Sequence, residues 1–104
     1  MDILDWKDRP FVTIEQMDDY EAIDHDVSKK YGRKVKAAQI SNRDYQYRYQ
    51  KLSKTNNMKP PPSAERHIML GYIVVRKLGT HNQYETWMPE IVFDDVYQKV
   101  LATS

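Results

Sequence analysis

Apolar and polar positions change period several times along this chain, and each change marks an expected element. In "RPFVTIEQM" (9–17), Phe11, Thr13 and Glu15 alternate with Val12, Ile14 and Gln16. β-branched residues at period two, with Pro10 at the start, predict a strand over about 11–17. From 18 to 32 the spacing becomes helical: Tyr20, Ile23, Val27 and Tyr31 recur on one side. Asp18 or Asp19 can cap the first turn, Lys29 and Lys30 suit the last, and Gly32 supplies a stop. "RKVKAAQISNRDYQYRYQKL" (33–52) reads as a strand at about 34–40, a turn at "SNRD", and a second strand. In that second strand Tyr45, Tyr47 and Tyr49 alternate with Gln46, Arg48 and Gln50. A helix through Ala37 and Ala38 is the alternative for the first piece.

"SKTNNMKPPPSAE" (53–65) is a long loop, because three consecutive prolines fit neither a helix interior nor a central strand. "RHIMLGYIVVRKL" (66–78) is apolar almost throughout, as in a strand buried on two sides. The turn "GTHN" leads to "QYETWM", completing a hairpin. Pro89 suits the first position of a helix. Beyond it, Val92, Val96 and Val100 form one i, i+4 row, and Phe93, Tyr97 and Leu101 the next. The expected architecture is α+β in a single domain over 1–104. It has an antiparallel sheet of four to five strands and two helices, one after the first strand and one at the C-terminus.

Composition sharpens this picture. With 104 residues the chain can bury one modest core, and eight Tyr, two Trp and two Phe must supply much of it. No Cys is present, which fits a reducing compartment. The acidic opening "MDILDWKDRP" carries no apolar run of signal-peptide length, and no segment approaches a membrane span. The expected location is cytoplasmic, without membrane association. The net charge of +1 hides a segregation: nine acids crowd residues 1–26, and ten bases against the single Asp44 crowd 27–59.

The two ends of the chain show a resemblance. "RPFVTIE" (9–15), "GYIVV" (71–75) and "PEIVFDDVY" (89–97) are similar to segments of a set of small, mostly uncharacterised bacteriophage proteins. Those proteins open with a basic residue, Pro and a Val/Ile strand ending in Glu. They close with Gly-Asp-Trp/Tyr-Ile, a hairpin and Pro-x-x-Phe-x-x-x-Tyr. The interval from Pro89 to Phe93 is one residue longer here, and the stretch 18–70 has no counterpart. The resemblance implies a small α+β fold and a phage or prophage origin, hence a bacterial host cytoplasm. It brings no activity to transfer.

Catalytic constellations are sparse. Asp24, His25 and Asp26 are adjacent and would fan out around a helix, and His81 lies in a turn. No Gly-rich phosphate loop or nucleophile elbow occurs. The reading is a non-enzyme with no cofactor and no metal; a cryptic metal or catalytic site near His25 and His67 is the outlying alternative. Chemistry that stands out is basic and aromatic: Arg33, Lys34, Lys36, Tyr45, Tyr47, Arg48, Tyr49 and Lys51 are expected to form one contact surface. It would meet an acidic host or phage protein and modulate it. Direct binding of single-stranded nucleic acid or an anionic nucleotide is the alternative, with tyrosines stacking and cations tracking phosphate. Opposed charge blocks also make a homo-oligomer possible. Trp87, Met88 and Tyr84 belong either to the core or to an interface, and so does Trp6 with Ile3 and Leu4.

Overall fold

The computed structural model describes residues 11–61 and 67–100. The strands are β1 (Asp18–Ala22), β2 (Lys34–Ser41), β3 (Leu70–Arg76), β4 (Tyr84–Pro89) and β5 (Tyr97–Lys99). Between them lie α1 (His25–Tyr31), α2 (Asn42–Leu52) and α3 (Glu90–Val96). The strands form one five-stranded antiparallel sheet in the order β4-β3-β2-β1-β5. The α+β class and the antiparallel sheet stand as expected, with three helices instead of two.

Both faces of the sheet are covered, which is why β3 reads as continuously apolar. On one face Ile40, Ile73, Val75 and Trp87 pack with Val12, Met17 and Tyr45. On the other, Val35, Val74 and Met88 pack with Phe93 and Tyr97. Trp87 and Met88 are thus core residues of opposite faces, and the Trp87 indole donates to the Ile40 carbonyl at 2.9 Å. Gly71 makes the approach of Trp87 possible: a Cβ there would collide with the Trp87 ring and the Met88 carbonyl. Phe93 of α3 stacks on Tyr72 with centroids 3.9 Å apart, and Tyr20 meets Phe93 edge-on at 4.9 Å.

Four expected elements are corrected. Residues 11–17 are not a strand: Gln16 folds back to accept from the Thr13 N–H at 2.9 Å, closing a 3-10 turn at Ile14–Gln16. Val12 and Met17 still bury. The helix expected from residue 18 begins only at His25, capped by Asp24, whose Oδ1 accepts from the Val27 N–H at 3.1 Å. Before it, Asp18–Ala22 is claimed by the sheet, where its acids find the bases of β2. Gly32 ends α1 at φ +97°, a conformation that favours glycine.

The tyrosine alternation at 45–49 is helical, not extended. Ser41 caps α2 by accepting from the Asp44 N–H at 3.1 Å, and the helix then runs to Leu52. Finally, α3 stops at Val96, because β1 offers its open edge and Tyr97–Lys99 pairs there instead. Pro89 precedes the helix as its N-cap. The Phe93–Tyr97 row survives as a buried pair, while Leu101 lies outside the described residues. So do Ile3, Leu4, Trp6 and the second half of the proline loop.

Candidate functional site

Opposed charge blocks meet inside the sheet. β1 and β2 pair with Asp19 opposite Lys36 and Glu21 opposite Lys34. Lys36 Nζ lies 2.8 Å from Asp19 Oδ1, and Arg33 Nη2 lies 3.4 Å from Glu21 Oε2. At the outer edge, Lys99 Nζ reaches Asp18 at 3.4 Å. Part of the acidic opening third and part of the basic middle third are therefore neighbours, through Arg33 and Lys36. Antiparallel pairing ties Arg33 and Lys36 to these acids, while Lys29, Lys30, Lys34, Arg43, Lys51 and Lys54 have no ion-pair partner among the described residues.

The eight expected surface residues separate accordingly. Arg33 and Lys36 belong to this ion-paired region, whereas Lys34, opposite Glu21 in the ladder, has no ion-pair partner among the described residues. Tyr45 and Arg48 are buried, at 0% and 5% exposure. Tyr49 is partly buried against the same core. On α2 itself, Tyr47, at 49% exposure, and Lys51 remain on an open surface, and Arg33 and Lys34 are exposed at the start of β2. The cause is the helical period: positions 45, 48, 49 and 52 share the inner face of α2, while 43, 47, 50 and 51 share the outer one, with Lys54 in the turn just beyond it.

Arg48 is the structural pivot of the inner face. Its Nε and Nη2 donate to the two Glu85 carboxylate oxygens at 2.7 and 2.9 Å, and its Nη1 donates to the Val12 carbonyl at 2.6 Å. This bidentate pair ties α2 to β4 and to the N-terminal segment. Next to it the Tyr45 hydroxyl is buried beside the Glu85 carboxylate, with no hydrogen bond of good geometry among the described residues. Burial, then the negative charge of Glu85, pushes its phenol far above the ordinary tyrosine range.

On the outer face, Arg43, Tyr47 and Lys51 follow at i, i+4 and i+8, with Gln50 and Lys54 beside them. Among the described residues, none of Arg43, Lys51 and Lys54 has an ion-pair partner. Asn42, which sequence reading passed over, shapes this surface from beneath. It is fully buried; its N–H donates to the Met69 carbonyl at 3.0 Å. Its Oδ1 accepts from the Met69 N–H at 2.9 Å, and its Nδ2 donates to the His67 carbonyl at 3.1 Å. This three-point clamp holds residues 67–69 along the start of α2. Ile68, 55% exposed, is thereby set beside Tyr47. A shallow hollow of about 400 Å³ lies between Ser41, Arg43, Asp44, Tyr47 and Ile68. An aromatic ring and an aliphatic side chain thus meet at a hollow whose rim carries Arg43 and the Asp44 carboxylate.

The three histidines sit on separate elements: His25 opens α1, His67 precedes β3, and His81 lies in the β3–β4 turn. Among the described residues, no three His, Asp or Glu side chains are grouped to hold a metal ion. Among them too, no helix is long and apolar enough to cross a membrane. No protein-family model, no curated protein and no solved structure matches the chain.

Proposed function

We propose that the chain is a small, non-enzymatic accessory protein that binds an acidic protein surface through the outer face of α2 and modulates that partner. The observation that carries this reading is the half-exposed Tyr47 ring beside exposed Ile68, flanked by Arg43, Lys51 and Lys54, none of which is ion-paired among the described residues. Tyrosine and arginine with an apolar neighbour are the residue types that anchor interfaces. Unpaired lysines at the rim favour an acidic partner and speed its encounter. The resemblance of the two ends of the chain to small phage proteins supports a phage setting, with the partner a host or phage protein in the bacterial cytoplasm.

The helical arrangement also weighs protein against nucleic acid. A strand would have offered three tyrosines as a stacking face, whereas α2 turns Tyr45 and Tyr49 into the core and leaves one. Asp19 and Glu21 are engaged within the chain by Lys36 and Arg33, which leaves fewer acids of the opening block for self-association.

Co-purification from a bacterial lysate at low salt, with the wild type beside the Arg43→Glu/Lys51→Glu variant, tests the proposal. A discrete partner retained by the wild type and lost by the variant is expected. Retention by both, or capture of nuclease-sensitive material alone, rejects this surface as the protein-binding one.

A further inference from the structure

β3 ends in an arginine that no carboxylate neutralises among the described residues. Arg76 is only 9% exposed. Its Nε donates to the Tyr97 hydroxyl at 3.0 Å and its Nη1 to the Tyr84 hydroxyl at 3.1 Å. Its guanidinium carbon lies 3.9 Å from the centroid of the Tyr31 ring. Buried charges are ordinarily paired, because a phenol satisfies a donor without cancelling its charge. Burial opposes the Arg76 charge, but its bonds to the Tyr84 and Tyr97 phenols and their charge attraction outweigh that, holding its pKa above the ordinary arginine value. Burial likewise pushes the Tyr97 phenol up, so it stays neutral.

This positive charge sits beneath a groove that is itself cationic. The groove, about 740 Å³, lies between the C-terminal end of α1 and the β3–β4 turn. Lys29, Lys30, Tyr31, Lys34, Lys77 and His81 are among its lining residues, and no carboxylate of the described residues lines it. None of the four lysines has an ion-pair partner among the described residues. Tyr31 lies between Arg76 and Lys30, whose Nζ is 5.2 Å from the ring centroid. The hydrogen bond and charge of Lys30, aided by Arg76 and Lys59, hold the Tyr31 phenol below its ordinary value. Both cations already occupy the neighbourhood of the ring, so Tyr31 is poorly placed to stack a base.

We infer that this groove binds a compact polyphosphate anion, either free or as the phosphate chain of a nucleotide. Lysine ammonium groups at the walls are the direct ligands, suited to phosphate oxygens as mobile point charges. Arg76, through its stack on Tyr31, is a positioning residue that keeps a fixed positive charge under the site. The volume is in the range of small-molecule sites, roughly 300–1,000 Å³. This site is separate from the outer face of α2 and does not depend on the function proposed for it.

Calorimetric titration of the full chain with sodium tripolyphosphate, and in parallel with adenosine triphosphate, tests the inference. The proteins compared are the wild type, Lys30→Ala/Lys77→Ala in the groove, and Lys51→Ala/Lys54→Ala on α2. Both double variants remove the same charge from exposed positions. The expected result is saturable binding at one site per chain, weakened by about tenfold or more in the groove variant and by less than about twofold in the α2 variant, since lost contacts and not net charge are responsible. Equal affinity for the two anions identifies the phosphate chain as the whole ligand; tighter nucleotide binding adds a nucleoside contact. Ultraviolet titration of the phenols gives a second readout, in which bound tripolyphosphate raises the Tyr31 pKa, a change absent from Tyr31→Phe. Heats without saturation, or equal losses in the two double variants, overturn the inference.

Discussion

Lys36 and Asp19 stand opposite one another in the β1–β2 ladder, with Nζ and Oδ1 2.8 Å apart. That contact explains the feature of the sequence that most resembles a binding signal. An acidic block followed by a basic block looks like two surfaces when read along the chain. Folded into an antiparallel pair, it becomes a set of facing charges that favours one register over its neighbours.

The pair is exposed enough for its contribution to be modest. A double-mutant cycle of Lys36→Ala and Asp19→Ala by urea unfolding is expected to give a coupling of about 0.2–1 kcal/mol. Added salt should shrink it. A coupling of zero at low salt would remove the register role.

Arg48 should behave very differently. Arg48→Ala leaves the Glu85 carboxylate buried without its bidentate partner, a change expected to cost about 3–5 kcal/mol in chemical unfolding. Arg48→Met with Glu85→Leu, which removes both charges, should recover much of that loss.

Gly71→Ala places a methyl group where the Trp87 ring and the Met88 carbonyl already stand. Neither side can yield without opening the β3–β4 pairing. A loss of about 1–3 kcal/mol is expected, together with a changed Trp fluorescence spectrum.

How much of this was legible in the sequence depends on whether local pattern or tertiary pairing decides. The β3–β4 hairpin was legible, because a strand buried on both faces must be apolar throughout and Gly79 supplies the turn. The cap-and-stop logic of α1 was legible only at its end, with Lys29, Lys30 and Gly32. Its start was obscured because Asp18, Asp19 and Asp24 are equally good caps, and only the presence of basic β2 draws the first two into a strand. At 45–49 the alternation of tyrosines at period two coincided with a helical pattern. The deciding signal was present: Ser41 three residues before Asp44, then Tyr45, Tyr49 and Leu52 at helical spacing. The same substitution of period hid the site, since it turned Tyr45, Arg48 and Tyr49 inward and left Tyr47 and Lys51 outside. Asn42 carried no sequence signal at all, because its clamp acts on residues brought to it from 25 to 27 positions away.

Alkaline pH should weaken the fold through its buried phenols. Tyr45 most of all, and also Tyr20, Tyr72 and Tyr97, have pKa values raised by burial. A raised phenol stays protonated in the folded state while the unfolded chain ionises near pH ~10. Stability is then full below that pH and falls as pH rises above it. Unfolding measured from pH 8 to 11 should show this decline. Tyr45→Phe should flatten it and, by removing a buried hydroxyl with no well-formed hydrogen bond among the described residues, should change stability at neutral pH by no more than about 1 kcal/mol.

The most direct measurement of the proposed contact surface is photo-crosslinking in bacterial cells, with a benzophenone side chain at position 47 and, for comparison, at position 95 on exposed α3. A discrete protein adduct at position 47, absent at 95 and abolished by adding Lys51→Glu, is the expected outcome. No adduct at 47, or the same adduct from both positions, would contradict a partner seated on the outer face of α2.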